Sequence, residues 1–211
     1  MRLKHCIMGS GGFGREALVC LLDTFAVNNR DHTDQIVFMV DDAFYSDTYI
    51  MGIPVIKRSE FKPQNYRVSV AIGDPVKRKN AVEALPKNTI FESIIHPSAI
   101  ISKWVEIGQG SIIAAGVIAT CGIKIGAHAH LNLNTTIGHD CKIGTFFTTA
   151  PATNISGNCT FGDCVYFGTN SSARDNIKIC QNVTIGMGGV VVKDITERGV
   201  YIGNPLRKLS I

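Results

Sequence analysis

The chain has 211 residues, 45% of them hydrophobic and 18% charged, with a formal net charge of +4. That length holds one large or two small folding units, and so mild a charge, with no basic block, excludes a nucleic-acid or anionic-membrane partner recognised by charge. There is no long apolar run of membrane-spanning length and no charged N-terminal segment leading into one, so the expectation is a cytoplasmic protein. Seven cysteines with no CxxC pair fit reduced thiols in that compartment.

Residues 3–8 predict a strand, followed by Gly9-Ser10-Gly11-Gly12-Phe13-Gly14 and a helix running to about Asn28. Ala17, Leu18, Leu21 and Leu22 mark the buried face of that helix. A second strand over Ile36–Val40 ends at Asp41-Asp42, residues 52–56 read as a short edge piece, and a third strand runs from Arg67 to Ile72. Gly73-Asp74-Pro75 then opens a helix over 76–85. Strand–helix alternation predicts a small, half-Rossmann-like parallel α/β unit over 1–91. Ligands of such sheets gather at the carboxyl ends of strands, here Ser10, Gly11, Gly12, Asp41, Asp42 and Gly73. The Gly9–Gly14 spacing matches the dinucleotide fingerprint, in which glycines let phosphate approach the N–H groups of a helix N-terminus. A plain tight turn would read the same way. Too few residues precede the next unit for a complete NAD domain, so a nucleotide or nucleotide-sugar fits better.

From Ile95 to Thr196 the chain repeats in sixes. First positions run without a slip from Ile95 through Ile101, Ile107 and Ile113 to Ile185 and Val191, and only Ala119, Thr149 and Ala173 are not large and apolar. Fifth positions are mostly small or β-branched (Ala99, Val105, Ser111, Val117), and second positions are often glycine (Gly108, Gly126, Gly138, Gly144), read here as corners where the chain bends. This is the signature of a parallel β-helix of hexapeptide repeats, with first and fifth positions inward. Phe161 and Phe167 fall in layers with Thr149 and Ala173, so volumes compensate. The second unit covers 92–211: the prism to about Thr196, then a C-terminal cap around Gly203-Asn204-Pro205-Leu206-Arg207-Lys208.

Taken together, Gly9–Gly14, Asp41-Asp42, Ala71-Ile72-Gly73, Gly138-His139-Asp140-Cys141-Lys142-Ile143-Gly144 and Gly203-Asn204-Pro205 resemble the NeuD/PglD-like family of hexapeptide-repeat sugar acyltransferases. The resemblance implies a left-handed β-helix, a homotrimer with active sites between subunits, and acetyl-CoA as co-substrate, without a metal. It implies acetylation of the 4-amino group of a nucleotide-linked 4-amino-4,6-dideoxy sugar in surface glycan biosynthesis. O-acetylation of a sialic-acid-type sugar is the alternative, and a non-enzymatic trimeric scaffold or a zinc-dependent lyase stands behind both.

Amide formation from an amine and a thioester needs a base, and imidazole suits that task near neutral pH. His139 occupies the third position of its hexad, beside a corner and pointing outward; the resemblance makes it the base, with Asp140 beside it. Neighbours in a strand alternate faces and so stand apart, unless the corner relaxes this. By resemblance the Gly157 N–H sits near the thioester carbonyl, and Gly157 is one 18-residue turn on from His139. Asn132 matches a polar position near the sugar. Thr148 stands where many members carry a histidine that contacts cofactor or sugar. Coenzyme A is expected along later turns, where Gly186, Gly188 and Gly189 leave amides open, with Lys193, Arg198, Arg207 and Lys208 as candidate phosphate partners. His128 and His130 flank Ala129 on one side; with His139 they permit a zinc reading, and solvated histidines are the simpler one.

Overall fold

The computed structural model describes residues 3–32 and 34–209, so the ends of both expected units, 1–2 and 210–211, lie outside the described residues. The first unit runs β1 (Lys4–Met8), α1 (Gly12–Val27), β2 (Ile36–Val40), β3 (Tyr49–Ile50), β4 (Ile53–Lys57), β5 (Tyr66–Val70), α2 (Pro75–Glu83) and β6 (Ile90–Phe91). The strand order is β3-β4-β2-β1-β5-β6. All neighbours are parallel except β3 and β4. The chain steps from β1 to β2 on one side and later to β5 on the other, so the ends of β1 and β5 flank a topological switch point. The residues expected as an edge piece form β4 instead, an interior strand paired to β2 from Phe38↔Val55 to Val40↔Lys57, with β3 outside it. α2 starts where Asp74 accepts from the Lys77 N–H at 2.8 Å with Pro75 at the first helical position, an N-cap that ends any ambiguity about its start.

From Ile94 to Val191 the chain forms three parallel sheets of two- and three-residue strands. The first face carries Ile94–Ile95, Ile112–Ile113, His130–Leu131, Thr148–Thr149, Tyr166–Phe167 and Val183–Ile185; the second starts at Ile100–Ile101 and the third at Val105–Ile107. Up to Val191 every register pairs residue i with i+18, as in Ile112↔His130, Thr136↔Asn154 and Lys142↔Thr160; past it the frame shortens and Ile179 pairs with Ile195, 16 residues on. The hexad is therefore one side of a triangle. First and fifth positions line the interior, with Ile113, Leu131, Val117, Cys141 and Val165 all fully buried. At the open lower end Ile95 remains 39% exposed, because no coil lies beneath it. The volume expected to fill the space beside Thr149 comes from a cluster: Phe147 lies 5.8 Å from Phe161 and 5.9 Å from Phe167. Thr149 satisfies its buried hydroxyl against Thr135 (2.8 Å) and the Asn132 N–H (3.0 Å).

Second-position glycines serve a purpose different from the bend expected of them. A Cβ on Gly138 would stand 2.7 Å from the Gly157 nitrogen, and one on Gly162 2.6 Å from the Gln181 nitrogen. Glycine there lets the next coil stack at strand spacing. The bend comes two residues later. Every fourth position from Gly110 to Gly188 has φ between +56° and +71°, including His128, Asn134, Asp140, Phe146, Asn158 and Cys164. Asparagine, aspartate and glycine dominate these positions because they tolerate the left-handed region at least cost. The cap follows as expected: Gly199–Ile202 adds to Val183–Ile185 in parallel, and Arg207–Lys208 folds back on it antiparallel.

Candidate active site

The two units meet on Arg78. It lies in α2 within Lys77-Arg78-Lys79 and is fully buried. Its Nε donates to His128 O at 3.0 Å, and Nη1 to Ile72 O (2.7 Å), Gly73 O (3.2 Å) and His130 Nδ1 (3.0 Å). Nη2 donates to Phe146 O (2.9 Å), Phe147 O (3.3 Å) and Thr148 Oγ1 (2.7 Å). One planar fork thus ties the end of β5 to two successive coils of the prism. Burial pushes its pKa down to about 9, so the guanidinium stays charged at neutral pH. Because His130 Nδ1 accepts from Arg78, its proton is on Nε2, which donates to Val70 O at 3.0 Å.

His128 and His130 are therefore not solvated. His130 is fully buried with Phe13 at 4.6 Å, and His128 stacks on Phe146 at 5.1 Å with Phe91 edge-on at 4.6 Å. Burial and the Arg78 charge push His128 down to about 4 and hold His130 well below the ordinary imidazole value. At the far end of the sheet, burial and then Arg67 and Arg30 push His5 down to about 4 as well. These rings fold neutral, whereas the unfolded chain takes up protons below about pH 6.5, so stability is full above that pH and falls towards pH 4. His5 alone accounts for about 3 kcal/mol of that loss. Urea unfolding at pH 7 and pH 4.5 is expected to show a lower midpoint at acid pH; equal midpoints would contradict the neutral burial of these rings.

Above this joint a cleft of about 660 Å³ opens between the two units. One wall is Phe13, Glu16 and Gly73-Asp74-Pro75-Val76, at the switch point of the sheet. The other is the first face of the prism, with Asn132, Thr148, Tyr166 and Thr184. Thr148 is at its floor, 4% exposed, with its hydroxyl spent on Arg78. Asn132 borders the cleft while its Oδ1 accepts from the Leu133 N–H at 2.8 Å. Within the fingerprint, Gly9 and Gly14 are demanded by packing, since a Cβ on either would strike backbone. Gly11 and Gly12 have no heavy atom within 4 Å of that position, which leaves the start of α1 uncovered. Ser10 borders a second hollow of about 270 Å³ with Arg15, Phe44 and Asp47. Asp41 and Asp42 are engaged within the chain: Asp41 pairs with Arg58 at 3.0 Å, and Asp42 accepts from the Ser59 N–H at 3.0 Å, with the Ser59 side chain and then this N–H lowering its pKa.

His139 lies on another corner, outside that cleft, with its side chain 63% exposed. Asp140 meets it because Asp140 turns the corner at φ +60°, bringing Oδ2 within 2.8 Å of His139 Nδ1. That left-handed residue brings together neighbours that a straight strand would hold on opposite faces. A carboxylate only accepts, so Nδ1 carries the proton and Nε2 is left as the basic atom of the neutral ring. One coil above, the ring rests on Gly157, where a Cβ would stand 2.6 Å from Cε1 and Nε2. Among the described residues the Gly157 N–H has no acceptor.

The chain has known relatives. Residues 4–85 match the PglD N-terminal domain family. Over 175 residues the chain is 27% identical to the GDP-perosamine N-acetyltransferase of Escherichia coli O157:H7, covering 81% of this chain and 78% of that one. The acetyltransferase domain of PglB from Neisseria gonorrhoeae FA1090, solved in complex with acetyl coenzyme A, is 27% identical with a TM-score of 0.86, covering 99% of this chain and 100% of that one. PerB from Caulobacter crescentus, solved in complex with CoA and GDP-perosamine, is 25% identical with a TM-score of 0.85 over 98% and 97% of the two chains. Residues 4–85 carry the PglD N-terminal domain, and nearly the whole chain is similar to NeuD/PglD-like sugar acetyltransferases.

In this PglD-like chain the β-helix is left-handed. Its late-coil glycines do not offer open amides. Gly186 N donates to Tyr201 O at 2.8 Å, Gly188 N to Thr169 O at 2.8 Å and Gly189 N to Gly186 O at 3.1 Å. Gly186 and Gly189 are instead bare to admit Ile202 and Leu206 of the cap. Lys208 is held by Glu197 at 2.8 Å, which raises its pKa, while Lys193, Arg198 and Arg207 are exposed. Lys193 lies on the coil three above His139, just past Val191, where the frame shortens from eighteen residues to 16 (Ile179↔Ile195). Sequence reasoning missed Arg78, hidden in a run that reads as a solvated helix face, and also Phe13, Glu16, Asp74 and Tyr166, which only the tertiary fold brings to the cleft.

Proposed function

We propose that this chain transfers the acetyl group of acetyl-CoA to the 4-amino group of a nucleotide-linked 4-amino-4,6-dideoxy sugar, with His139 as general base, in the assembly of a surface glycan. The observation that carries the reading is the His139 corner: an exposed imidazole with Nδ1 fixed by Asp140 and an unspent N–H of Gly157 one coil above. The amine nitrogen attacks the thioester carbon while Nε2 of His139 takes its proton. The Gly157 N–H donates to the oxygen that becomes negative. The C–S bond then breaks, the proton passes to the departing sulfur, and amide and free CoA leave. The relatives support the substrates: one is a GDP-perosamine N-acetyltransferase, and another was solved with CoA and GDP-perosamine.

The nucleotide sugar takes the cleft between the units, with its phosphates towards the uncovered start of α1 and Ser10, Gly11, Gly12 and Gly73 around it. Asn132 faces the sugar. Coenzyme A runs up the His139 corner towards Lys193, about 14 Å above at strand spacing, with Arg207 near the top. His139 and the cleft occupy different corners of one protomer, so a second copy of the chain must bring them together, as a homotrimer does. Trp104, the single tryptophan, is 64% exposed on the His139 corner and reports such an interface by its fluorescence.

Thiol release from acetyl-CoA is to be measured with UDP-, GDP- and dTDP-linked 4-amino sugars and with sialic acid as a hydroxyl acceptor. Release is expected with one amino sugar, giving an N-acetyl product by mass. Release with the hydroxyl acceptor alone, or with none, would sink this reading.

A further inference from the structure

Asp140 reaches His139 because the corner beneath it is empty. The Asp140 N–H donates to Cys121 O at 3.0 Å, which fixes its backbone directly over Gly122. Its Oδ1 then stands 2.5 Å from the position a Cβ on Gly122 would take, closer than any real Cβ contact, while Oδ2 holds His139 Nδ1 at 2.8 Å. One carboxylate oxygen occupies the missing side chain's place and the other orients the imidazole. Any side chain on Gly122 would turn the carboxylate about its own χ angles and carry Oδ2 off the ring.

The rest of the column sharpens the point. Fourth positions on this corner read Trp104, Gly122, Asp140, Asn158 and Asn176 from bottom to top. Asn158 and Asn176 bond to each other at 2.6 Å, Nδ2 to Oδ1, the ordinary use of such a ladder. Under Asp140 the ladder is interrupted by glycine. Gly122 sits at φ +66°, but Asn134, Asn158 and Asn170 hold the same conformation with a side chain, so the backbone alone does not require glycine.

We propose that Gly122 is a positioning residue for acyl transfer: its bare α-carbon seats the Asp140 carboxylate so that Oδ2 locks His139 with its proton on Nδ1. This rests on the reading of His139 as the base. Gly116 provides the matched control. It has φ +71°, and the Asn134 side chain rests over it as Asp140 rests over Gly122, but it lies on a different corner from His139.

The test compares Gly122→Asn and Gly122→Ala with Gly116→Asn, each made alone and with Asp140→Gly. Turnover with the preferred amino sugar is measured beside the 15N spectrum of the neutral His139 ring. Both Gly122 variants are expected to lower kcat at least tenfold with KM for both substrates within twofold, and to move the ring proton from Nδ1 towards Nε2. Gly116→Asn is expected to change kcat less than twofold. Asp140→Gly removes the carboxylate, and in that background Gly122→Asn is expected to add less than a twofold loss, since both act through one contact. A Gly122→Asn loss no larger than that of Gly116→Asn, a full multiplication with Asp140→Gly, or an unmoved ring proton overturns the proposal. The ring-proton measurement needs no turnover, so it stands apart from a failure of His139 as base. Asparagine adopts this backbone at five fourth positions of the same prism, so a failure of the alanine variant to fold leaves the test intact.

Discussion

His139→Ala is expected to lower kcat at least a hundredfold while leaving the KM for acetyl-CoA and the melting temperature near wild type. The kinetic and folding effects separate because of where the side chain sits. It is 63% exposed, and its protein contacts are Asp140 and the bare face of Gly157. Nothing in the core loses a partner when it is removed. The Gly157 N–H survives the change, so a residue of catalysis from orientation and oxyanion stabilisation remains. Asp140→Asn is expected to fall short of His139→Ala, since the base stays but its tautomer is no longer fixed. Turnover of His139→Ala within tenfold of wild type would remove the base from the mechanism.

Arg78→Met is expected to destabilise the protein by about 4 kcal/mol or more, the range for leaving several buried polar groups unpaired. Methionine fills much of the volume yet offers no donor to Ile72 O, Gly73 O, Phe146 O, His130 Nδ1 or Thr148 Oγ1. Phe147 O, a further acceptor of Arg78, keeps the His130 N–H at 2.8 Å, so the loss stays below a simple sum over the contacts. Lysine is no substitute, because a single ammonium cannot span acceptors at the end of β5 and on two coils of the prism. Since Gly73 borders the cleft, weaker binding of the nucleotide sugar should accompany the loss. Denaturant unfolding followed by far-UV circular dichroism should show the α/β unit leaving before the prism. A change under 1 kcal/mol would mean that Arg78 does not bear the joint.

The prism was legible because its period is strict and its inward positions are apolar at nearly every step, a pattern that no helix or meander satisfies. The role of its glycines was misread, since a glycine that clears room for the coil above and one that turns a corner look identical in sequence. The corner signal was present in Asn134, Asp140, Asn158, Asn170, Asn176 and Asn182, six apart or multiples of it, but Phe146 and Cys164 at the same position obscured it. β6 escaped notice because two residues, Ile90–Phe91, carry no periodicity. Arg78 escaped because Lys77 and Lys79 surround it with the composition of an exposed face. His128 and His130 invited a metal or solvent reading, and only the packing of Phe13, Phe91 and Phe146 shows them as part of the joint.

The eighteen-residue register has a consequence for how such a protein can change size. Each column of side chains climbs the prism one strand spacing at a time, so the height between two corner residues takes only whole multiples of about 4.8 Å. Excising residues 160–177 would remove one complete storey and rejoin like to like. Every inward residue would stay inward, and Lys193 would stand two storeys above His139 instead of three. Removing seventeen residues or nineteen would throw the upper coils out of phase and turn their apolar side chains to water. Length in this architecture is digital, and the span offered to a long, thin ligand along one corner is set by counting storeys.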